Sequence, residues 1–193
     1  MIAVVDNYDS FTWNLVDILK RGKSPVEVHL NDSISTTEFF ATRPEGILVS
    51  PGPGRPKDSG ISPQVFAQLP ASMPFLGVCL GFQLMGEALG MGLIQGNEPV
   101  HGKVSMIHHD GIGIFAGMPN PFPAMRYHSL ILDQTSLPDS LEVSAWTEDN
   151  VIMGLRHKTN PWYGLQFHPE SILTERGALL VQNWMKVVHE SKG

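Results

Sequence analysis

The sequence predicts an α/β protein with a mostly parallel central sheet flanked by helices. Three observations carry that expectation. Short apolar runs alternate with segments of helical period through the first half, giving β-α-β-α-β, the pattern of a parallel sheet with helices on its faces. Those runs are apolar throughout rather than alternating, as strands covered on both faces must be. The second half then changes to short alternating segments divided by Gly, Pro, Asn and Asp turns, which adds mixed or antiparallel strands.

Each element has its own signal. Ile2 to Val5 is a continuous β-branched run that ends in the polar turn Asp6-Asn7-Tyr8-Asp9-Ser10. From Phe11 the period lengthens: Phe11, Leu15, Ile18 and Leu19 share a helical face, Ser10 or Asp9 is placed to cap it, and Gly22 lies near its end. Val26 to Leu30, a short helix around Thr36 to Ala41, and Gly46 to Val49 repeat the unit. Ser50-Pro51-Gly52-Pro53-Gly54-Arg55-Pro56 is too rich in Pro and Gly for regular structure and reads as a rigid loop after a strand. Phe75 to Val78 leads through Cys79 into a helix from Leu80 to about Leu89, ended by Gly90 and Gly92. Val104 to Ile107, Met125 to Tyr127, Leu141 to Ala145, Val151 to Leu155 and Trp162 to Phe167 are the later strands. A final helix, about Glu175 to His189, carries a stripe through Leu179, Leu180, Trp184 and Val187 or Val188. No repeat or long linker divides the chain, so residues 1–193 read as a single domain.

Composition bounds the partners. With 42% apolar and 17% charged residues over 193 positions, the chain can bury a sizeable core without disulfides or metal. Thirteen Lys and Arg against 19 Asp and Glu leave a net charge of −6, so the footprint of a nucleic-acid binder is missing. The longest apolar runs are far shorter than the roughly 20 residues that cross a membrane. Asp6 interrupts the N-terminus before a signal-peptide core can form, and one cysteine cannot make an intrachain disulfide. A cytoplasmic, reduced protein without a membrane segment is expected.

That one cysteine sits in Gly77-Val78-Cys79-Leu80-Gly81, the form G-x-nucleophile-x-G between a strand and a helix. The turn is sharp, so bulky residues two positions either side would clash, and it sets the sulfur at a helix N-terminus that favours the thiolate. A small buried hydrophobe would satisfy the pentapeptide as well. Of eight histidines, His29 and His189 lie in amphipathic elements with no neighbouring acid, and His108 and His109 are adjacent residues that point different ways. His168 differs: it follows an apolar run and precedes Pro169-Glu170, so in extended chain His168 and Glu170 share a face. Glu170 then fixes the imidazole tautomer, as the third member of a triad does; an edge-strand surface pair is the competing reading. No H-E-x-x-H or C-x-x-C spacing supports a metal, and the Gly52–Gly54 loop, lacking a nucleotide fingerprint, suits an oxyanion better.

Together these residues resemble the class I (triad) glutamine amidotransferases over nearly the full chain. The nucleophile motif is matched by residues 77–83, the oxyanion loop by residues 50–54, and the acid-base motif by Gln166-Phe167-His168-Pro169-Glu170-Ser171. Asp6 to Thr12, His101-Gly102-Lys103 and Arg126 to Leu130 look like the glutaminase subunits of anthranilate synthase and 4-amino-4-deoxychorismate synthase. The resemblance implies a flavodoxin-like sheet and hydrolysis of L-glutamine through a Cys79 thioester, with His168 as proton shuttle and Glu170 orienting it. It also implies an oxyanion hole from the N–H groups of Gly54 and Leu80, and a glutamine site lined by Gly52, Pro53, Gln83, Ser129 and Leu130. Gln83, four residues after Cys79, shares its helical face. Ammonia would pass to a chorismate-using synthase subunit, with His101 to Lys103, Tyr8 to Phe11 and the segment after Arg126 at the interface. No cofactor is implied in this subunit; magnesium is expected in the synthase. One position departs from the family: Phe82 stands where histidine is common. The competing functions are a stand-alone γ-glutamyl cysteine hydrolase and a docking domain without chemistry.

Overall fold

The structure, a computed structural model, describes residues 1–22 and 24–191. Strand β1 (Ile2–Asp6) lies between β2 (Val26–Leu30) and β3 (Gly46–Val49), and the sheet continues through β4 (Phe75–Val78) to β9 (Trp162–Leu165), all parallel. From β9 it continues antiparallel through β8 (Ile152–His157) and β7 (Leu141–Thr147) to the long hairpin of β5 (Leu93–His109) and β6 (Phe122–Leu132). The order is β2-β1-β3-β4-β9-β8-β7-β5-β6.

The continuous apolar runs are explained by layers on both faces. Ile2 and Val4 point to one side, into a core with Leu15, Val16 and Leu19 of α1 (Thr12–Arg21) and Leu180, Val181 and Trp184 of α5 (Gly177–Glu190). Ala3 and Val5 point to the other, into a core with Phe39 of α2 (Thr36–Ala41), Val65 and Phe66 of α3 (Ser62–Ala67), and Phe82 and Met85 of α4 (Leu80–Ala88). Edge strand β2 is half-exposed. Helix α2 starts at a capping box between Ser35 and Glu38.

Several expectations change. Neither Ser10 nor Asp9 caps the interior of α1. Phe11 is the capping residue without a side-chain bond, and the Asp9 carboxylate accepts the Phe11 N–H just outside the helix at 2.8 Å. Helix α3 gives no strong amphipathic signal in six residues and went unread. Met125 to Tyr127 and Val104 to Ile107 are the middles of much longer strands, because Gly, Pro and polar residues in β5 are accommodated by register shifts between Gln95 and Val100 and between His101 and Lys103. Strand β9 is no antiparallel addition on its β4 side: it completes the parallel half and joins it to the antiparallel one. Among the described residues no helix is long and apolar enough to cross a membrane.

Candidate active site

Cys79 lies between β4 and α4 with φ 52° and ψ −97°, a conformation that L residues rarely adopt. Its N–H donates to Leu165 O on β9 at 2.7 Å, and its carbonyl accepts from Gln83 N at 3.1 Å, so both neighbours hold the elbow. The flanking glycines are required by contact. A Cβ on Gly77 would lie 2.2 Å from Gly81 O, and one on Gly81 would lie 2.4 Å from Val49 O. The sulfur is thereby fixed at the N-terminus of α4, at the carboxyl end of β4.

His168 follows β9 on the neighbouring strand. The chain does not remain extended past it: Pro169 and Glu170 form a turn, with Ser171 N donating to His168 O at 3.3 Å. That turn, rather than strand alternation, brings Glu170 back to the ring. His168 Nδ1 meets Glu170 Oε1 at 2.6 Å, and both side chains are buried. With Nδ1 donated to the carboxylate, Nε2 is the nitrogen left for the Cys79 sulfur, and it has no other hydrogen-bond partner. Burial alone would depress the imidazole, but hydrogen bonding and charge from Cys79 and Glu170 outweigh it and push His168 up to about 10. The backbone is clamped at the same place: His168 N donates to Met125 O at 3.0 Å, and Thr174 Oγ1 donates to His168 O at 2.6 Å.

A cavity of about 670 Å³ opens beside this pair. It is lined by Cys79 and His168, by Gly52, Pro53 and Gly54 after β3, by Gln83 of α4, by Ser129 and Leu130, and at its rim by Tyr8 to Phe11, His101 and Tyr127. Of the residues expected at the glutamine site, Leu80 alone is absent from the lining: its side chain is buried. As first residue of α4 its N–H has no intrahelical acceptor. Gly54, at φ 78°, lines the same cavity as Cys79. Glu170 sits behind His168 and lines a second cleft with Phe11 and Pro169. The three segments expected at a partner interface all reach the mouth of one cavity. Only Tyr8 to Phe11 is a turn; the other two belong to β5 and β6. Among the described residues no three His, Cys, Asp or Glu side chains cluster as a metal would need.

Reading the sequence missed several contributors. Asn7 ties the oxyanion loop to β1: its N–H donates to Ser50 Oγ at 2.9 Å, its side-chain amide donates to Ser50 O at 3.1 Å, and Asn31 and Ser62 both donate to its Oδ1. The polar run Asp6 to Ser10 is the only signal for this. Phe11 meets the His168 ring edge to face at 5.7 Å between centroids. Fully buried Gln166 reaches Cys79. Arg126 Nε donates to His128 Nε2 at 3.1 Å, and His128 Nδ1 donates to Leu130 O at 3.0 Å; burial and Arg126 push His128 down to about 4. His29 does have an acid beside it, Glu27 at 3.3 Å, because residues i and i+2 of β2 share a face. It lies at the sheet edge, outside the cavity lining.

A model of the family described as glutamine amidotransferase class-I matches residues 3–188. The chain is similar to anthranilate synthase component 2 of Cyanophora paradoxa, 47% identical over 190 residues that cover 98% of this chain and all of that one. It is 46% identical over 191 residues to anthranilate synthase component 2 of Pseudomonas aeruginosa, covering 96% of this chain and 95% of that one. A solved structure from Thermoplasma acidophilum, described as a putative GMP synthase protein, superposes with a TM-score of 0.88 over 99% of this chain and 94% of its own, at 24% identity, a likeness of fold.

Proposed function

From the premise that this chain belongs to the class I glutamine amidotransferases and is a glutamine-hydrolysing enzyme, we propose that Cys79, His168 and Glu170 carry the reaction and that the ammonia goes to a chorismate-using synthase subunit, as in anthranilate synthase. One observation carries the assignment of roles. His168 donates Nδ1–H to Glu170 at 2.6 Å and keeps Nε2 unpartnered, at a cavity that also holds Cys79, Gly54 and Gln83.

The geometry gives each group a task. In the resting pair Nε2 already holds the thiol proton, and the thiolate attacks the side-chain carbonyl carbon of glutamine, forming the C–S bond. In this reading the N–H groups of Gly54 and Leu80 receive the negative charge that develops on the carbonyl oxygen. His168 returns the proton to the amide nitrogen, the C–N bond breaks, and ammonia leaves a γ-glutamyl thioester. Water then attacks, giving its proton to His168; the C–S bond breaks, and the resting pair is restored as glutamate departs. Glu170 holds the tautomer and balances the imidazolium throughout. Gly52, Pro53, Gln83, Ser129 and Leu130 shape the glutamine site.

Ammonia released into water at neutral pH is mostly ammonium and no nucleophile, so it has to leave into a protected path. Support for a docked synthase comes from the cavity lining, where Tyr8, His101 and Tyr127 are exposed and the last two rings lie 5.0 Å apart between centroids, their planes tilted by 31°. The relatives named anthranilate synthase component 2 favour anthranilate as the product. The test is to combine the chain with its synthase, glutamine, chorismate and magnesium. Anthranilate is expected, and Cys79→Ser should abolish glutamine-dependent synthesis while ammonia-dependent synthesis survives. 4-Amino-4-deoxychorismate as the product would move the chain to folate synthesis, and glutamine-dependent synthesis by Cys79→Ser would overturn the nucleophile.

A further inference from the structure

Gln166 directly follows β9, two residues before His168, fully buried, and the hydrolysis above gives it no task. Its Nε2 lies 3.7 Å from Cys79 Sγ, and its Oε1 accepts from Gln83 Nε2 at 3.1 Å. Gln83 Nε2 also donates to Leu130 O at 3.3 Å. A carbonyl only accepts, so Gln83 cannot be turned round; with Gln83 donating, Gln166 has to show it an oxygen and show the sulfur an N–H. The Leu130 carbonyl is held in turn by the Nδ1–H of His128, whose tautomer is fixed because the Arg126 guanidinium at Nε2 can only donate.

We propose that Gln166 is a further catalytic residue of this site: its amide N–H stabilises the Cys79 sulfur as a thiolate, and Gln83, Leu130, His128 and Arg126 hold that amide in the one orientation that can do so. The Cys79 thiol faces Tyr127 O at 3.9 Å. With its proton on His168, the Tyr127 carbonyl offers the sulfur nothing, whereas the Gln166 N–H gains, since a hydrogen bond to an ionised acceptor is stronger than one to a neutral acceptor. The same bond favours departure of the sulfur when water breaks the thioester. Gln166 is outside the cavity lining, and Gln83 keeps its bond to Leu130 O without it, so the effect of Gln166 on the sulfur belongs to the chemical step.

The inference rests on Cys79 being the nucleophile, and its test does not depend on turnover. Cys79 is the single cysteine of the chain, so the pH dependence of iodoacetamide alkylation reads this thiol alone. In Gln166→Met the alkylation midpoint should rise by about one pH unit. The kcat of glutaminase should fall about ten- to a hundredfold while KM stays within about twofold. In the unaltered protein the side-chain amide resonance of Gln166 should titrate with the alkylation midpoint, a measurement that needs no variant. A folded Gln166→Met protein with an unchanged midpoint, or an amide resonance that stays fixed while the thiol titrates, would overturn the proposal. Glutaminase activity surviving in Cys79→Ser would overturn the nucleophile instead, and the two failures are separable.

Discussion

The proton of His168 is shared between two demands at the scale of single residues. Burial favours the neutral ring, while Glu170 at 2.6 Å and the adjacent Cys79 favour the imidazolium, and the second pair of influences wins. The ring should therefore remain protonated well above its ordinary 6.5 when followed by NMR. Cys79→Ala and Glu170→Gln should each lower the midpoint by about one to three units by removing one anchor of the charge. A midpoint near 6.5 in the unaltered protein would show that the pair is neutral. This residue was legible in the sequence because Pro169 and Glu170 follow it directly, but the reason given there was incomplete. The turn after His168, not an extended face, closes the contact.

At the scale of elements, α4 explains why Phe82 is tolerated where its family commonly has histidine. The ring is fully buried between the helix and β9, and a Cβ on Gly164 would lie 2.9 Å from Phe82 Cδ2. It fills a gap that Gly164 leaves open and lies on the core face of α4, outside the cavity lining that includes Gln83. Phe82→His should destabilise the protein by about 1–3 kcal/mol in denaturant titration, from lost volume and a buried imidazole needing partners. Glutaminase kcat/KM of the folded variant should stay within about tenfold. A larger gain would mean that the imidazole reaches the site. The glycines of the elbow were read from spacing; the requirement at Gly77 is steric and local, whereas at Gly81 it comes from Val49 on the neighbouring strand β3. Helix α3 and the full length of β5 and β6 were not, since short or bulged elements are decided by what covers them.

On the scale of the whole molecule, His128 couples stability to acid. Its folded-state value, about 4, lies below the ordinary 6.5, because burial and Arg126 oppose the charge. Unfolded chain therefore binds the proton more tightly, and the stability contributed by neutral His128 is complete above about pH 6.5 and is lost as pH falls toward 4. The loss can reach about 3 kcal/mol. Denaturation midpoints measured from pH 7 to 4 should fall less steeply in His128→Asn than in the unaltered protein. Equal slopes would show that this histidine is protonated with little penalty in the fold. His128 itself lines the cavity; protonating it removes the acceptor for Arg126 Nε while its Nδ1–H still donates to Leu130 O.

The sequence by itself determined the alternation of elements and the form of the elbow around Cys79, because periodicity and the clash of a Cβ on Gly77 with Gly81 act within a few positions. Only the tertiary structure decided what surrounds them. By strand order β6 lies at the far edge of the sheet from β1 and five places from β4, yet Met125 holds the His168 backbone and Tyr127 to Leu130 wall the cavity. The bulged β5–β6 hairpin sets Tyr127 O against Cys79 and Leu130 O against Gln83, at the carboxyl end of β4. The contacts of Gln83 with Leu130 and of Gln166 with Cys79 join buried polar groups from separate elements, which must find partners once water is excluded. Which partner each finds is set by how distant elements pack together, a property that no local stretch of residues contains.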